Sequence, residues 1–70
     1  VLFKNIKNLR EDHEYKQETI AKYLHVMQTT YSKYELGKIN IPIDALIKLA
    51  DLYDVSLDYL VGRTVNREKV

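Results

Sequence analysis

Gln28, Thr29, Ser32 and Lys33 fall on one side of a helix drawn at about 100° per residue, with Tyr34 on the opposite side. The set is three uncharged hydrogen-bonding side chains and one cation, groups suited to base edges in a DNA groove. A Gln amide can bond adenine in a bidentate manner, a Lys ammonium can reach guanine acceptors, and Thr adds methyl contact to thymine. The same residue types make an ordinary solvated helix face, and the pattern by itself leaves both readings open.

Other residues with chemical potential point elsewhere. His13 and His25 suggest acid–base or metal chemistry, but they lie at a helix end and a turn, and the chain has no cysteine. No metal site and no cofactor are expected from them. Gly-rich phosphate loops, nucleophile motifs and paired carboxylates are absent, so the chain does not read as an enzyme. The six tyrosines could stack on bases. Tyr31, Tyr34 and Tyr53, however, sit on apolar stripes where packing accounts for them. Tyr15 and Tyr59 are freer. Tyr59, with Leu57, Leu60 and Val61, is a candidate dimer contact, closure of the core by the last helix being the alternative.

The elements that must hold these residues are helical throughout, with no alternating strand pattern. Phe3, Ile6 and Leu9 mark a first helix over about residues 2–12, and Ile20, Ala21 and Leu24 a second over 17–24. Tyr31 and Tyr34 mark a third over 28–36, which Gly37 can close. Leu46, Leu49, Ala50 and Tyr53 follow the i, i+3, i+4, i+7 pattern of a fourth helix beginning near Pro42 or Ile43, where Asp44 complements the helix dipole. Ser56 is an N-cap for a short fifth helix over 57–61, closed by Gly62. These predict an all-α, compact five-helix bundle over residues 1–63, followed by a polar tail over 64–70.

Residues 17–36 have the layout of a helix-turn-helix. Two short helices joined by a tight turn cross steeply, so their contact needs a small residue, and Ala21 stands there. His25 stands where the turn needs a left-handed conformation, which glycine adopts at least cost. Lys16 and Met27 occupy the cap positions of the second and third helices without a capping side chain, so both starts are expected to fray or shift.

Charge is nearly balanced, eleven Lys and Arg against ten Asp and Glu, for a net +1. Its distribution is more informative: Lys4, Lys7, Arg10, Lys16, Lys22, Lys33 and Lys38 precede Asp44, Asp51, Asp54 and Asp58. Such a dipolar surface can offer a basic face to phosphates, although scattered solvated charge explains it equally well. Nothing approaches the length of a membrane span or reads as a signal peptide, so a cytoplasmic location is expected. Seventy residues bury a modest core, for which association with a second copy is a common remedy. Because the first residue is Val rather than Met, a longer regulator containing this domain is one reading of the sequence.

Over residues 4–62 the chain resembles the phage repressor and Cro family, also called the XRE family of bacterial regulators. The resemblance is carried by Arg10, Gln17-Glu18-Thr19-Ile20-Ala21, Leu24, Val26, Gln28, Thr30, Ser32-Lys33-Tyr34-Glu35 and Gly37-Lys38. It continues through Leu46, Leu49-Ala50, Val55-Ser56-Leu57 and Leu60-Val61-Gly62. The family's lambda-repressor-like fold is thereby implied, with a homodimer on double-stranded operator DNA and a role in transcription, expected to be repression. Carried over by residue, Gln28, Thr29 and Lys33 match base-reading positions, with Ser32 beside them. Gln17, Lys38 and Asn40 match phosphate contacts. Arg10 and Glu35 match a pair that ties the first helix to the recognition helix in some members. The rival is the same fold used as an antitoxin or a protein-interaction module, and the polarity of the 28–33 face favours DNA. Departures from the pattern include His25 for the usual turn glycine and Leu36 for a polar residue. Tyr31 replaces an aliphatic residue, so its hydroxyl must reach solvent or a partner.

Overall fold

The computed structural model describes residues 3–63, and the polar tail expected over 64–70 lies outside them. The first helix begins at Lys4 rather than near Leu2, because Phe3 is extended (φ −106°, ψ 93°) and serves as its N-cap. The described residues form Lys4–Asp12 (α1), Gln17–Leu24 (α2), Gln28–Leu36 (α3), Ile43–Tyr53 (α4) and Leu57–Leu60 (α5). The fifth helix is a residue shorter than its pattern suggests, because Val61 already serves as its C-cap.

All five helices end in one kind of backbone closure. A left-handed residue follows each: Glu14 (φ 58°), His25 (59°), Gly37 (72°), Asp54 (54°) and Gly62 (83°). The amide after each reaches back five residues, as in Tyr15 N to Arg10 O, Val26 N to Ala21 O, and Val55 N to Ala50 O, all 3.0 Å. This Schellman closure satisfies carbonyls that a helix end would otherwise leave bare. It also drops Tyr15, Val26 and Val55 straight onto the core, where Val55 is buried and the other two pack against it. The expected left-handed His25 is found, and so are Glu14 and Asp54, neither of which the sequence flagged.

Helix starts are less well secured. Only Ser56 acts through its side chain, accepting from Tyr59 N at 3.0 Å. Lys16 and Met27 provide no side-chain cap, yet α2 and α3 begin at Gln17 and Gln28 as the spacing predicts. Packing of Ile20 and Tyr31 in the first turns outweighs the missing caps.

The core joins Ile6 and Leu9 of α1, Ile20, Ala21 and Leu24 of α2, Tyr31 and Tyr34 of α3, and Leu46, Leu49, Ala50 and Tyr53 of α4. Every one of these was legible from helical spacing. Ile41, Val55 and Leu60 complete it from the connections and α5. Helix α2 packs on α3, α4 on α5, and α1 on both α3 and α5. Asn5 Nδ2 donates to Tyr59 O at 2.6 Å, fastening α1 to α5. Tyr23 OH donates to Lys48 O at 3.1 Å, fastening α2 to α4. The architecture is an all-α five-helix bundle of the lambda-repressor-like kind. No helix among the described residues is long and apolar enough to cross a membrane.

Candidate nucleic-acid interface

Glu35 is the centre of the site, and it is a buried carboxylate, only 6% exposed. An isolated charge at such a depth is costly, so its oxygens need partners. Oε2 accepts from Arg10 Nε and from Tyr31 OH, each at 2.6 Å. Oε1 accepts from Arg10 NH2 and from Gln17 Nε2, each at 3.1 Å. Four donors thus fill the four acceptor sites of the carboxylate, and the Arg10 contact is the two-pronged kind that fixes both planes. Arg10 NH1 also donates to Tyr15 O at 3.0 Å, so the guanidinium is itself held from behind. Burial pushes the Glu35 carboxyl up, but the hydrogen bonds from Arg10, Tyr31 and Gln17 together prevail and hold it below the usual carboxylate range. The Arg10 guanidinium is shifted the other way, upward, chiefly by the hydrogen bond to Glu35.

The network draws three helices onto one group: Arg10 from α1, Gln17 from α2, and Tyr31 and Glu35 from α3. Sequence reasoning placed Arg10 and Glu35 together but gave Gln17 and Tyr31 no part in the network. The i, i+4 spacing of Tyr31 and Glu35 on one helix face was the available signal. Tyr31 is fully buried, and burial, followed by the bond to Glu35, pushes its hydroxyl far above the ordinary tyrosine range.

A second polar cluster lies behind it. His13 stacks on Tyr15 with ring centroids 5.9 Å apart and tilts against Tyr53 at 5.0 Å. A His13 ring nitrogen, Nδ1, lies 2.9 Å from Leu9 O. Tyr15, expected to be freer than the core tyrosines, is half-buried in an aromatic cluster. The Tyr53 hydroxyl is buried and has no hydrogen-bond partner among the described residues.

With its inner side clamped, α3 turns Gln28, Thr29 and Lys33 to solvent and leaves Ser32 half-exposed. Lys38 and Asn40 are exposed in the loop that follows, and Gln17 is half-buried at the start of α2. One more group of residues borders this surface. Lys4, Lys7 and Asn8 of α1 line a cleft with Gln17, Ser32, Glu35 and Leu36. The sequence listed the two lysines only as part of a basic half and passed over Asn8. Of the residues suggested for a dimer contact, Leu60 is fully buried within the single chain and belongs to the core. Leu57, Tyr59 and Val61 are half-exposed around it.

Two short helices in contact across a tight left-handed turn, the second clamped on its inner side and turning Gln28, Thr29 and Lys33 to solvent, have the layout of a helix-turn-helix module, and the chain belongs to the helix-turn-helix family. A helix-turn-helix family profile matches residues 6–60. The chain is 37% identical over 59 residues to YobD, an uncharacterised HTH-type transcriptional regulator of Bacillus subtilis, covering 84% of this chain and 53% of that protein. It is 37% identical over 62 residues to the HTH-type transcriptional regulator ImmR of the same organism, covering 89% and 49%. A crystal structure of a transcriptional regulator from Listeria innocua superposes with a TM-score of 0.79 at 36% identity, covering 83% of this chain and 54% of the other. The chain thus spans about half the length of these relatives.

Proposed function

We propose that this chain is the DNA-binding part of an XRE-type transcriptional repressor, with α3 lying in the major groove of an operator. The observation that carries the reading is the division of α3 into two faces. Tyr31, Tyr34 and Glu35 are buried on one, and Gln28, Thr29, Ser32 and Lys33 are available on the other. A rigid helix with a polar outer face is what direct base readout requires. Gln17, at the N-terminal end of α2 where the helix dipole favours phosphate, and Lys38 and Asn40, exposed in the loop after α3, are the phosphate contacts of this reading.

Homodimerisation on a twofold site fits the family resemblance, and repression needs only that the promoter be occupied. The relatives' names, all HTH-type transcriptional regulators, support the regulatory role. The test is a mobility-shift experiment with the Gln28→Ala/Lys33→Ala double variant. Specific shifts should disappear while far-UV dichroism stays unchanged. Specific binding that survives the double change contradicts the assignment of α3.

A further inference from the structure

Lys4, Lys7 and Asn8 have no part in the interface proposed above. They stand at i, i+3 and i+4 on α1, so they share one side of that helix, and all are exposed. Together with Gln17, Ser32, Glu35 and Leu36 they line an open cleft of about 400 Å³. Its electrostatics are one-sided. Glu35 is buried with both oxygens occupied, and Arg10 matches its charge. Neither Lys4 nor Lys7 takes part in an ion pair among the described residues, so the cleft carries two available ammonium groups.

Its position gives the charge a partner. An α-helix with its side chains is about 10–12 Å across, and the B-DNA major groove is about 12 Å wide. A helix seated there has a phosphate strand along each flank. Ser32 belongs both to the outward face of α3 and to the cleft, which makes the cleft one of those flanks. Gln17, at the start of α2, opens onto the same space.

We infer that the cleft between α1 and α3 seats the sugar–phosphate backbone of one DNA strand. Lys4 and Lys7 contact phosphates there through their ammonium groups, and Asn8 contributes an amide donor. The first helix thereby becomes a phosphate-contacting element beside the start of α2 and the loop after α3. This rests on the DNA-binding reading above, and the experiment separates the two.

The 70-residue chain, its Lys4→Gln/Lys7→Gln variant and a Lys48→Gln control on α4 are titrated, over a range of salt, with a duplex selected by the wild type and with a scrambled duplex. Each lost phosphate contact should flatten the dependence of log affinity on log salt by about 0.9, so the double variant should lose about 1.8 per domain. Its preference for the selected over the scrambled duplex should stay unchanged, because backbone contacts carry no sequence information. Lys4→Arg/Lys7→Arg should restore the wild-type slope, and all variants should match the wild type in far-UV dichroism. An unchanged slope in the Gln variant overturns the inference while leaving the function standing, as does an equal flattening in Lys48→Gln. A wild-type chain that binds neither duplex overturns both.

Discussion

Tyr31 and Tyr53 are both core tyrosines, yet loss of their hydroxyls is expected to move stability in opposite directions. Tyr31 OH donates to a charged carboxylate at 2.6 Å, a bond worth about 1.5–3 kcal/mol, and Tyr31→Phe should cost that much in urea denaturation. Tyr53 OH is buried without a partner among the described residues, so Tyr53→Phe should raise stability, by about 1 kcal/mol. Arg10→Met strands the Glu35 charge and should cost about 3–5 kcal/mol; a loss below about 0.5 kcal/mol contradicts a buried, mutually dependent pair. The pH dependence has a definite sign. Glu35 has a lower carboxyl pKa in the folded chain than the usual 4.5, so its stabilising contribution is full above that value. It is lost as the pH falls through the lower, folded-state value. A carbon-13 titration of Glu35 should give a midpoint under 4.5, with the urea midpoint declining in step at more acid pH. Of this chemistry the sequence disclosed the Arg10–Glu35 pairing only through family resemblance. Charge by itself assigns a glutamate to the solvent side, although the i, i+4 spacing puts Glu35 on the face of Tyr31.

Among the elements, ends and beginnings behave differently. Each helix stop is built into the backbone, whereas α2 and α3 start with no capping side chain. Met27 is 73% exposed at the start of α3, so replacing it changes little except the cap. Met27→Thr should therefore raise the free energy of unfolding by about 1 kcal/mol, read from chemical denaturation. No gain would mean that the first turn of α3 is already fixed by the packing of Tyr31. The boundaries of α2, α3 and α4 were legible because apolar residues recur at helical spacing and Gly37 and Pro42 punctuate the chain. The left-handed Glu14 was not, since glutamate gives no local sign of a positive φ, and the one sign at Asp54 was the general tolerance of aspartate for that conformation. The alternation of faces on α3 was also blurred. Its inner side carries a glutamate and two tyrosines, and Leu36 on its outer side is exposed.

At the scale of the molecule, three helices converge on Glu35, which ties the aim of α3 to α1 and to the start of α2. The fold was legible from periodicity, but the cleft beside α3 was not. Its walls come from residues about 25 positions apart in sequence, and no local pattern links Lys7 to Ser32. The same convergence implies that base-reading side chains and phosphate contacts move as one body. Selection of duplexes from a random pool by the 70-residue chain tests the DNA-reading role of α3 most directly. The expected result is enrichment of a twofold-related sequence with half-sites one helical turn apart, roughly 34 Å between recognition helices, and loss of that enrichment in Gln28→Ala/Lys33→Ala. A pool that stays random after selection, or one enriched equally by the double variant, would contradict it.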